Sequence, residues 1–477
     1  MMNLLLLCIG LLLPAASGWL ALRLCEGRYP VLHHIERLLW AVILGPTLWM
    51  LVVRMVAWAG WISLTFNGFF VTWLILTAVL AAIAWRLGLL TEQHGPAVPL
   101  APTHHPSKKQ WIVLGILLAW TVVKLGAGAF DLVSVPTYWD DSFNNWNMRA
   151  KVFFLTGDIT PNLQGETLQL SSTGGISSYP PTVALIKTWL VTFKGTWDDS
   201  LVNSVHFVWF LLLIGAFFFT LRRFTGLFVS LLGVYLLVSM PLVLLHGTNP
   251  YADIFVAMHL LVTVACLLQA ARCDDYLTLR RWLLLFAFCA ALLTFTKNEG
   301  TALYLPLCII AALWVVWRTF AQRILSLRQI IMLLWPAVVL FVCVAGPWFA
   351  YKMINNLSFG NGKYLSSLNI SFHADALNAI LFQLMQEANF LLLPLVLLLT
   401  CIMGWRKILA LPYSILALVG IIAAGAQIGI FIFTGLATEA VLQTGLARGM
   451  VQVAPLLLML VILVWDNLWK DVRTSDE

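Results

Sequence analysis

Charged residues are scarce in this sequence: they make up 10% of the 477 residues, whereas hydrophobic residues make up 61%. Soluble domains carry about 25% charged and about 45–50% apolar residues, so this composition excludes an ordinary soluble globular protein. The net charge of +7 does not indicate a nucleic-acid partner, because the Lys and Arg residues lie in small groups between apolar runs, as they do in membrane-protein loops.

Several local signatures are also missing. The eight Cys residues lie inside apolar runs or at their ends, so neither a disulfide framework nor a cysteine metal site is expected. The sequence shows no internal repeat and no Walker or Rossmann glycine pattern. No two of the following four His residues are spaced as i and i+4, the spacing of a helical metal site: His206, His246, His259 and His373.

Long apolar runs recur from end to end, and a run of about 20 residues crosses a bilayer as a helix. The sequence therefore predicts an all-α polytopic membrane protein with about 13 transmembrane helices. The predicted spans are residues 2–22, 38–58, 66–85, 111–130, 201–221, 227–245, 252–271, 282–296, 301–317, 330–351, 388–404, 408–434 and 449–465.

The Lys and Arg residues are unevenly distributed between alternate loops. Eighteen of the 28 lie in one set of loops, eight lie in the other set, and Arg54 and Lys124 lie inside spans. Cytoplasmic loops retain Lys and Arg during insertion, so we expect the N-terminus outside and the C-terminus in the cytoplasm. Arg54 and Lys124 lie near span ends, from which side chains can snorkel to the interface, and both are expected to be structural.

Residues 1–22 admit a second interpretation, a cleaved secretory signal with a small-residue cleavage region at residues 14–17. The stretch has no basic n-region and Arg23 follows it directly, which favours a retained span.

Residues 91–110 hold four Pro and three His, and this composition is more typical of a cytoplasmic linker than of a metal site.

Two loops on the outer side are long, and the first, residues 131–200, opens with the acidic pair Asp140 and Asp141. From Asp141 onward, aromatic and apolar residues recur at helical spacing, which predicts a short amphipathic helix on the membrane surface. The pair can cap that helix, with Arg149 as a headgroup anchor. Because adjacent carboxylates repel, one of them can instead have a raised pKa and act as a proton acceptor or metal ligand.

Residues 182–193 of the same loop are helical in pattern but too short to span a bilayer. We expect this helix to lie along the membrane surface with Lys187 on its polar side. Lys187 is then either an ordinary surface residue or a ligand for a phosphate.

Two short outer loops carry charges at the bilayer edge. Asp253 enters a helix N-terminus shortly after Tyr251, and Lys297 and Glu299 lie between two short spans. Charges at membrane depth are costly and usually face a cavity, which favours a functional site. The alternatives are a helix cap for Asp253 and a salt bridge between Lys297 and Glu299.

Taken in order, these motifs resemble those of the C-type (GT-C) integral-membrane glycosyltransferases, the superfold of protein O-mannosyltransferases and the lipid A aminoarabinose transferase. The matching segments are Asp140-Asp141, Arg149-Ala150-Lys151, Gly157-Asp158-Ile159, Tyr179-Pro180-Pro181, Lys194-Gly195, Leu221-Arg222-Arg223-Phe224, Tyr251-Ala252-Asp253 and Lys297-Asn298-Glu299-Gly300. The departures are an Asp-Asp pair where the family usually has Asp-Glu, three spans before the core, and no large soluble C-terminal domain. The last departure points toward transfer of a single sugar.

The resemblance also divides the chain into regions. They are three N-terminal transmembrane helices (1–90), the cytoplasmic linker (91–110), a GT-C-like catalytic core (111–351), a second outer loop (352–387), and C-terminal transmembrane helices with a cytoplasmic tail (388–477). The second outer loop, with Asn361, Lys363, His373 and Asp375, would cover the acceptor side.

The resemblance implies an inverting transferase in a bacterial cytoplasmic (inner) membrane. It would move a sugar from a polyprenyl-phosphate-linked donor to an envelope glycolipid, polysaccharide or protein on the extracytoplasmic face. The implied roles are base for Asp140, acceptor positioning for Asp141 and Asp253, phosphate binding for Lys297, Arg149 and Lys187, and support for Tyr251 and Glu299.

No cofactor is required for that reaction, although Asp140 and Asp253 could share Mg²⁺ or Mn²⁺, which prefer oxygen ligands. Two other functions fit a polytopic protein with outer charges: a lipid or sugar transporter or flippase, and an envelope polysaccharide polymerase or ligase. A transporter should show paired halves with interrupted helices, and a polymerase or ligase more Arg and His in the later outer loop.

Overall fold

The structure, a computed structural model, describes residues 2–90, 106–137, 141–159, 178–322, 325–358 and 370–475. The described residues form helices joined by short turns. The helices are α1 Met2–Glu26, α2 His34–Trp58, α3 Phe66–Arg86, α4 Lys108–Ser134, α5 Met148–Thr156, α6 Thr182–Lys194, α7 Asp199–Arg222, α8 Leu227–Ser239, α9 Pro241–Gly247, α10 Asp253–Ala270, α11 Tyr276–Leu293, α12 Leu305–Ala321, α13 Leu327–Ile354, α14 Ala374–Met385, α15 Leu393–Met403, α16 Trp405–Ile408, α17 Tyr413–Leu416, α18 Ile422–Phe433, α19 Ala437–Val441 and α20 Leu446–Ser475. Three π-helical turns accompany them, at Ser142–Asn147, Gly300–Tyr304 and Ala417–Ile421.

Within these residues, 11 helical segments are long and apolar enough to cross a membrane, or 12 if the bent pair α8 and α9 forms one span. The prediction of an all-α polytopic membrane protein is confirmed. The eleventh predicted span, residues 388–404, contains α15, which has 11 residues and is therefore shorter than a bilayer-crossing helix.

The centre of the bundle is α10, whose 18 residues are all buried. It packs against α7, α11 and α20, so apolar contacts surround it on every side. By contrast, α3 and α4 are mostly exposed, and their apolar side chains are suited to face lipid. A polar residue at the start of α10 is consequently surrounded by other helices, at the end of the bundle where α10 begins.

The pair α8 and α9 bends by 78° at the junction of Met240 and Pro241. Proline cannot donate the helical hydrogen bond and its ring displaces the preceding turn, which accounts for the break. The bend carries His246, near the end of α9, towards the start of α10, where its Nδ1 lies 3.5 Å from Asp253 Oδ2.

The N-terminal helices pack directly against the core. A Cβ at Gly18 of α1 would lie 2.4 Å from the Ala41 carbonyl oxygen, and one at Gly45 of α2 would lie 2.2 Å from the Pro14 carbonyl oxygen. These glycines allow α1 and α2 to approach closely, as small residues do in membrane bundles. The pair in turn contacts α6, α7 and α11, and the predicted boundary at residue 90 stays a prediction.

The short helix α6 differs from its predicted environment. Ten of its 13 residues are buried, among them Lys187, so the expected polar, exposed side of this helix is wrong. The pattern of a short apolar helix does not distinguish a surface helix from one covered on both sides. Here α6 lies between α5, α7 and the N-terminal pair, and the Trp189 indole donates to the Gly10 carbonyl oxygen at 2.9 Å.

Candidate active site

Asp253 is the first residue of α10 and its side chain is 0% exposed. The preceding turn closes with a hydrogen bond from the Tyr251 backbone N–H to the Asn249 carbonyl oxygen (2.8 Å). A helix N-terminus favours a carboxylate through its dipole, but a buried charge also needs partners.

Those partners come from two distant parts of the chain. Lys297 Nζ lies 3.0 Å from Asp253 Oδ1, and Arg448 Nε lies 3.3 Å from Oδ2. Gln452, one turn after Arg448 on α20, donates to Oδ1 at 2.7 Å. Both carboxylate oxygens are therefore engaged by cations and an amide.

Lys297 is held inward by a tight connection between α11 and the π-helical turn at Gly300–Tyr304. The Gly300 N–H donates to the Lys297 carbonyl oxygen at 3.0 Å, and a Cβ at Gly300 would lie 2.3 Å from the Leu293 carbonyl oxygen, so a side chain does not fit. Burial alone would lower the pKa of Lys297, but Asp253 and Glu299 raise it above its ordinary value. The ammonium is thus positively charged at neutral pH, and it also lies 3.0 Å from Glu299 Oε1.

Arg448 contacts both the buried carboxylate of Asp253 and the more exposed carboxylate of Asp141. Its NH1 donates to Asp141, and its guanidinium lies 5.1 Å from the centre of the Tyr251 ring. The exposed fraction falls from 38% for the Asp141 side chain, through 23% for Arg448, to 0% for Asp253. Charges of alternating sign therefore lead from the surface into the bundle.

A second set of hydrogen bonds fixes the amide of Gln452. Tyr304 donates to Gln452 Oε1 at 2.8 Å, and Gln427 donates to the Tyr304 hydroxyl at 3.1 Å. Since the oxygen of Gln452 is occupied by Tyr304, its NH₂ group is directed to Asp253. Three helical segments thus cooperate to place one hydrogen-bond donor.

The structure brings together five of the residues selected from the sequence: Asp141, Tyr251, Asp253, Lys297 and Glu299. They and Arg448 form what we call the Asp253 cluster. Asp140 lies outside the described residues, so its place relative to the cluster stays a prediction.

Arg149 and Lys187 are not part of the Asp253 cluster. Arg149 NH1 donates to the Tyr179 carbonyl oxygen at 2.9 Å, while the ring of Tyr179 lies 6.0 Å from Lys297 Nζ. Arg149 is therefore next to the cluster. Lys187 instead donates to Asn147, and burial lowers its pKa to about 7, which makes it a weaker cation for a phosphate than the sequence suggested.

The second outer loop is described only in part. Asn361 and Lys363 lie outside the described residues. His373 Nε2 lies 2.9 Å from Ser371 Oγ, and Asp375 is exposed in the first turn of α14.

Sequence reasoning missed four residues around Asp253. They are His246, Tyr304, Arg448 and Gln452. The sequence does contain a signal for Arg448 and Gln452, because an Arg and a Gln four residues apart lie on one face of a helix whose next 13 residues are uncharged and mostly apolar. The contact of Tyr304 with Gln452 joins residues 148 apart in the chain, and nothing local in the sequence indicates it.

The residues around Asp253 do not suit a divalent metal. Both of its oxygens receive hydrogen bonds from Lys297, Arg448 or Gln452, and the two cations would repel Mg²⁺ or Mn²⁺. Across the described ranges, no three His, Cys, Asp or Glu side chains are grouped as a metal site.

Comparison with known proteins gives a fold. No protein-family model and no curated protein matches the sequence. Two solved structures of ArnT from Cupriavidus metallidurans are similar, one bound to undecaprenyl phosphate (TM-score 0.50) and one in the apo state (TM-score 0.51), each at 16% identity over 76% of this chain. The chain spans about three fifths of ArnT, 61% and 62% of its length in the two comparisons. Over the matched part of the chain the protein therefore shares the fold of ArnT, in agreement with the GT-C-like fold that the order of the sequence motifs predicted.

Proposed function

We propose that this protein is a membrane glycosyltransferase. It moves a sugar from a polyprenyl-phosphate-linked donor to an envelope glycolipid, polysaccharide or protein on the extracytoplasmic face. The observation that carries the proposal is the Asp253 cluster, in which a fully buried carboxylate is held by Lys297 and Arg448 at one end of the bundle. The fold likeness to ArnT, which was solved with undecaprenyl phosphate bound, supports a lipid phosphate as the donor's carrier.

The chemistry of this transfer needs charges of both signs close together. The acceptor hydroxyl or amine loses a proton to a base while its oxygen or nitrogen attacks the anomeric carbon of the sugar. The bond from that carbon to the phosphate oxygen breaks, and the electron pair leaves with the phosphate, where cations stabilise it. A direct displacement of this kind inverts the anomeric configuration.

The cluster suggests how these roles are divided. Asp253 is saturated by hydrogen bonds, so we assign it to positioning Lys297 and Arg448 and, through them, the acceptor. Asp141 is half-exposed and lies at the entrance, where an acceptor arrives. Asp140, beside it in the chain, is the proposed base, and the reaction as written requires no metal.

Lys297→Met is expected to lower turnover at least tenfold, about 1.4 kcal/mol in the activation barrier, or to raise the requirement for donor. The variant keeps the length of the side chain and removes the ammonium that faces Asp253 and the site. The measurement is mass analysis of envelope glycans and glycolipids from cells that lack the protein, carry the wild type, or carry the variant at equal membrane level.

Glu299→Gln is the matched control for this variant. It removes the half-exposed partner of Lys297 and leaves the contact with Asp253, so its effect should be smaller. A swap of the two charges is not a useful test, because Lys297→Glu would place a carboxylate against buried Asp253. Equal glycan profiles with and without the wild-type protein would contradict the proposed function. Equal losses of turnover in the Lys297→Met and Glu299→Gln variants would show that Lys297 acts only as the salt-bridge partner of Glu299.

The proposed reaction also requires the outer loop, residues 131–200, to face the extracytoplasmic side. A cysteine introduced by Ser172→Cys, in a protein whose native cysteines are replaced by Ser, should react with an impermeant thiol reagent in intact cells. Ser172 lies outside the described residues, and the expectation rests on the distribution of Lys and Arg.

Asp274→Cys, in the exposed turn between α10 and α11, serves as the opposite-side control. It should react only after the cells are lysed. The reverse pattern, with Ser172→Cys labelled only after lysis, would invert the topology and place the Asp253 cluster on the cytoplasmic side.

A further inference from the structure

The end of the bundle opposite the Asp253 cluster carries a cavity that the proposed reaction does not use. It has a volume of about 280 Å³ and lies between the turn after α10, the last turns of α12 and the segment at Leu411 and Pro412, just before α17. Because α10 has 18 residues, the cavity is about 27 Å from Asp253 along that helix. It is therefore separate from the proposed site of sugar transfer.

Two arginines line this cavity. Arg272 lies in the turn after α10, and Arg318 lies in the last turn of α12. Arg318 NH1 donates to the carbonyl oxygen of Ala271, the chain neighbour of Arg272, at 3.3 Å. Arg272 NH1 donates to the Arg223 carbonyl oxygen at 2.9 Å, and its guanidinium carbon lies 4.6 Å from the centre of the Phe224 ring. Hydrogen bonds to the backbone thus hold both side chains at one place.

These hydrogen bonds have a structural role that leaves most of the donors unused. Ala271 and Arg223 are the C-cap residues of α10 and α7, where basic side chains are favourable. A guanidinium has five N–H donors, and within the described part of the chain each cavity arginine uses one of its nitrogens in a hydrogen bond. No described carboxylate forms an ion pair with Arg272 or Arg318. Both therefore keep charge and donors for a ligand.

Arginines inside the bundle are arranged differently. Arg223 contacts Glu36. Arg54 is 3% exposed and its guanidinium carbon lies 3.8 Å from the centre of the Tyr351 ring, so the expectation that Arg54 snorkels to the interface is wrong. Protein groups cover both of these arginines, whereas the cavity arginines are at least partly open to solvent.

The cavity is bordered by apolar surface. Trp317 and Phe320, beside Arg318 on α12, are exposed, and Trp is enriched where a membrane meets water. A second groove of about 180 Å³ adjoins the cavity, since Arg272 and Pro412 line both. An occupant can therefore place an anionic group at the arginines and an apolar part along α12.

The charges that line the two depressions are not all positive. Asp274 lines the cavity from the exposed turn after α10. In the second groove, Lys470 and Asp466 pair with each other at 2.6 Å. The two arginines thus outnumber the one carboxylate that is not paired, which leaves an excess of positive charge.

We infer that the cavity binds the headgroup of an anionic phospholipid, with Arg272 and Arg318 as the ligands of its phosphate oxygens. Guanidinium groups match phosphate oxygens in a two-pronged geometry, and basic pockets between transmembrane helices bind anionic headgroups on the cytoplasmic side. The distribution of Lys and Arg predicts that this end of the bundle is cytoplasmic. Free phosphate has no apolar part to cover α12, so the combination of charge and apolar surface favours a lipid.

The test is lipid binding by the purified full-length protein in detergent, measured by mass spectrometry of intact protein–lipid complexes at increasing lipid concentration. The probes are phosphatidylglycerol and phosphatidylcholine, whose headgroup balances its phosphate with a positive charge. Wild-type protein should bind phosphatidylglycerol about tenfold more tightly than phosphatidylcholine. The double variant Arg272→Gln and Arg318→Gln should weaken phosphatidylglycerol binding about tenfold or more.

Arg406→Gln is the matched control for charge. Arg406 is an exposed arginine of α16, its guanidinium carbon lies 5.3 Å from the centre of the Trp405 ring, and it lines neither depression. Its substitution should leave lipid binding unchanged.

Asp274→Asn should have the opposite effect to the arginine variants. It removes the unpaired carboxylate from the cavity and should strengthen phosphatidylglycerol binding about twofold, the size of one exposed charge interaction. A gain of binding cannot result from misfolding, so this variant tests the inference even if the double variant does not fold.

Three results would overturn the inference: equal wild-type affinity for the two lipids, undiminished binding by the folded double variant, and an equal loss in Arg406→Gln. Weaker binding by Asp274→Asn would contradict it as well. Displacement of phosphatidylglycerol by inorganic phosphate at equal concentration would assign the cavity to free phosphate and overturn the lipid. No sugar transfer is measured, so these outcomes leave the proposed function untouched.

Discussion

Asp253→Asn is expected to destabilise the protein by about 3–5 kcal/mol and to abolish sugar transfer. Removing one member of a buried ion pair leaves the other charge uncompensated, at a cost of that size. Here two cations, Lys297 and Arg448, would lose the same counter-charge at once. The readouts are the thermal unfolding midpoint in detergent and transfer by protein reconstituted at equal amounts.

Asp198→Asn is the matched control for this substitution. Asp198 lies immediately before a long helix, α7, whereas Asp253 is the first residue of α10. Asp198 accepts from the Leu201 N–H at 3.1 Å and pairs with Lys194 in a setting that is partly open to solvent. Asn caps a helix about as well as Asp, and an exposed ion pair contributes about 0–1 kcal/mol. Similar stability losses in both variants would show that Asp253 is a helix cap.

The spans of this protein could be predicted from sequence because the relevant information is local. A run of apolar residues of bilayer length reports a crossing helix wherever its neighbours are, and the positions of α1 to α4 follow from such runs. The sequence is less informative about whether an apolar run forms one straight helix of full bilayer length. Neither the bend at Pro241 nor the shortness of α15 can be read from hydropathy.

Some members of the site could be predicted because burying a charge inside a membrane is expensive. Asp253 and Lys297 stood out as charges at membrane depth, and the structure places them 3.0 Å apart although 44 residues separate them in the chain. The alternative of a salt bridge between Lys297 and Glu299 is also correct, since Lys297 contacts both Asp253 and Glu299. The sequence could not show that one ammonium serves two carboxylates.

The other partners of Asp253 could be identified only from the folded structure. Arg448 and Gln452 lie almost 200 residues after Asp253, and they reach it only because α20 packs against the start of α10. The pattern of residues 182–193, which is helical but too short to span a bilayer, predicts a surface helix with Lys187 on its polar side, but packing of α6 between other helices buries Lys187. Long-range packing therefore decides which of several chemically similar residues belong to the site.

Asp140→Asn is expected to lower turnover about 10²–10⁴-fold, the contribution of a general base, with normal folding and membrane level. The substitution preserves the shape of the side chain and removes its capacity to accept a proton. If Asp140 only caps the helix that follows, Asn performs that task equally well and activity survives. Asp199→Asn, at the start of α7 where the carboxylate accepts from the Trp197 indole at 3.1 Å, should leave transfer unchanged. Asp141 remains paired with Arg448 in both variants, so the electrostatics of the Asp253 cluster are retained. Near-normal turnover of the Asp140 variant would assign the base to another group, with half-exposed Asp141 the next residue to substitute.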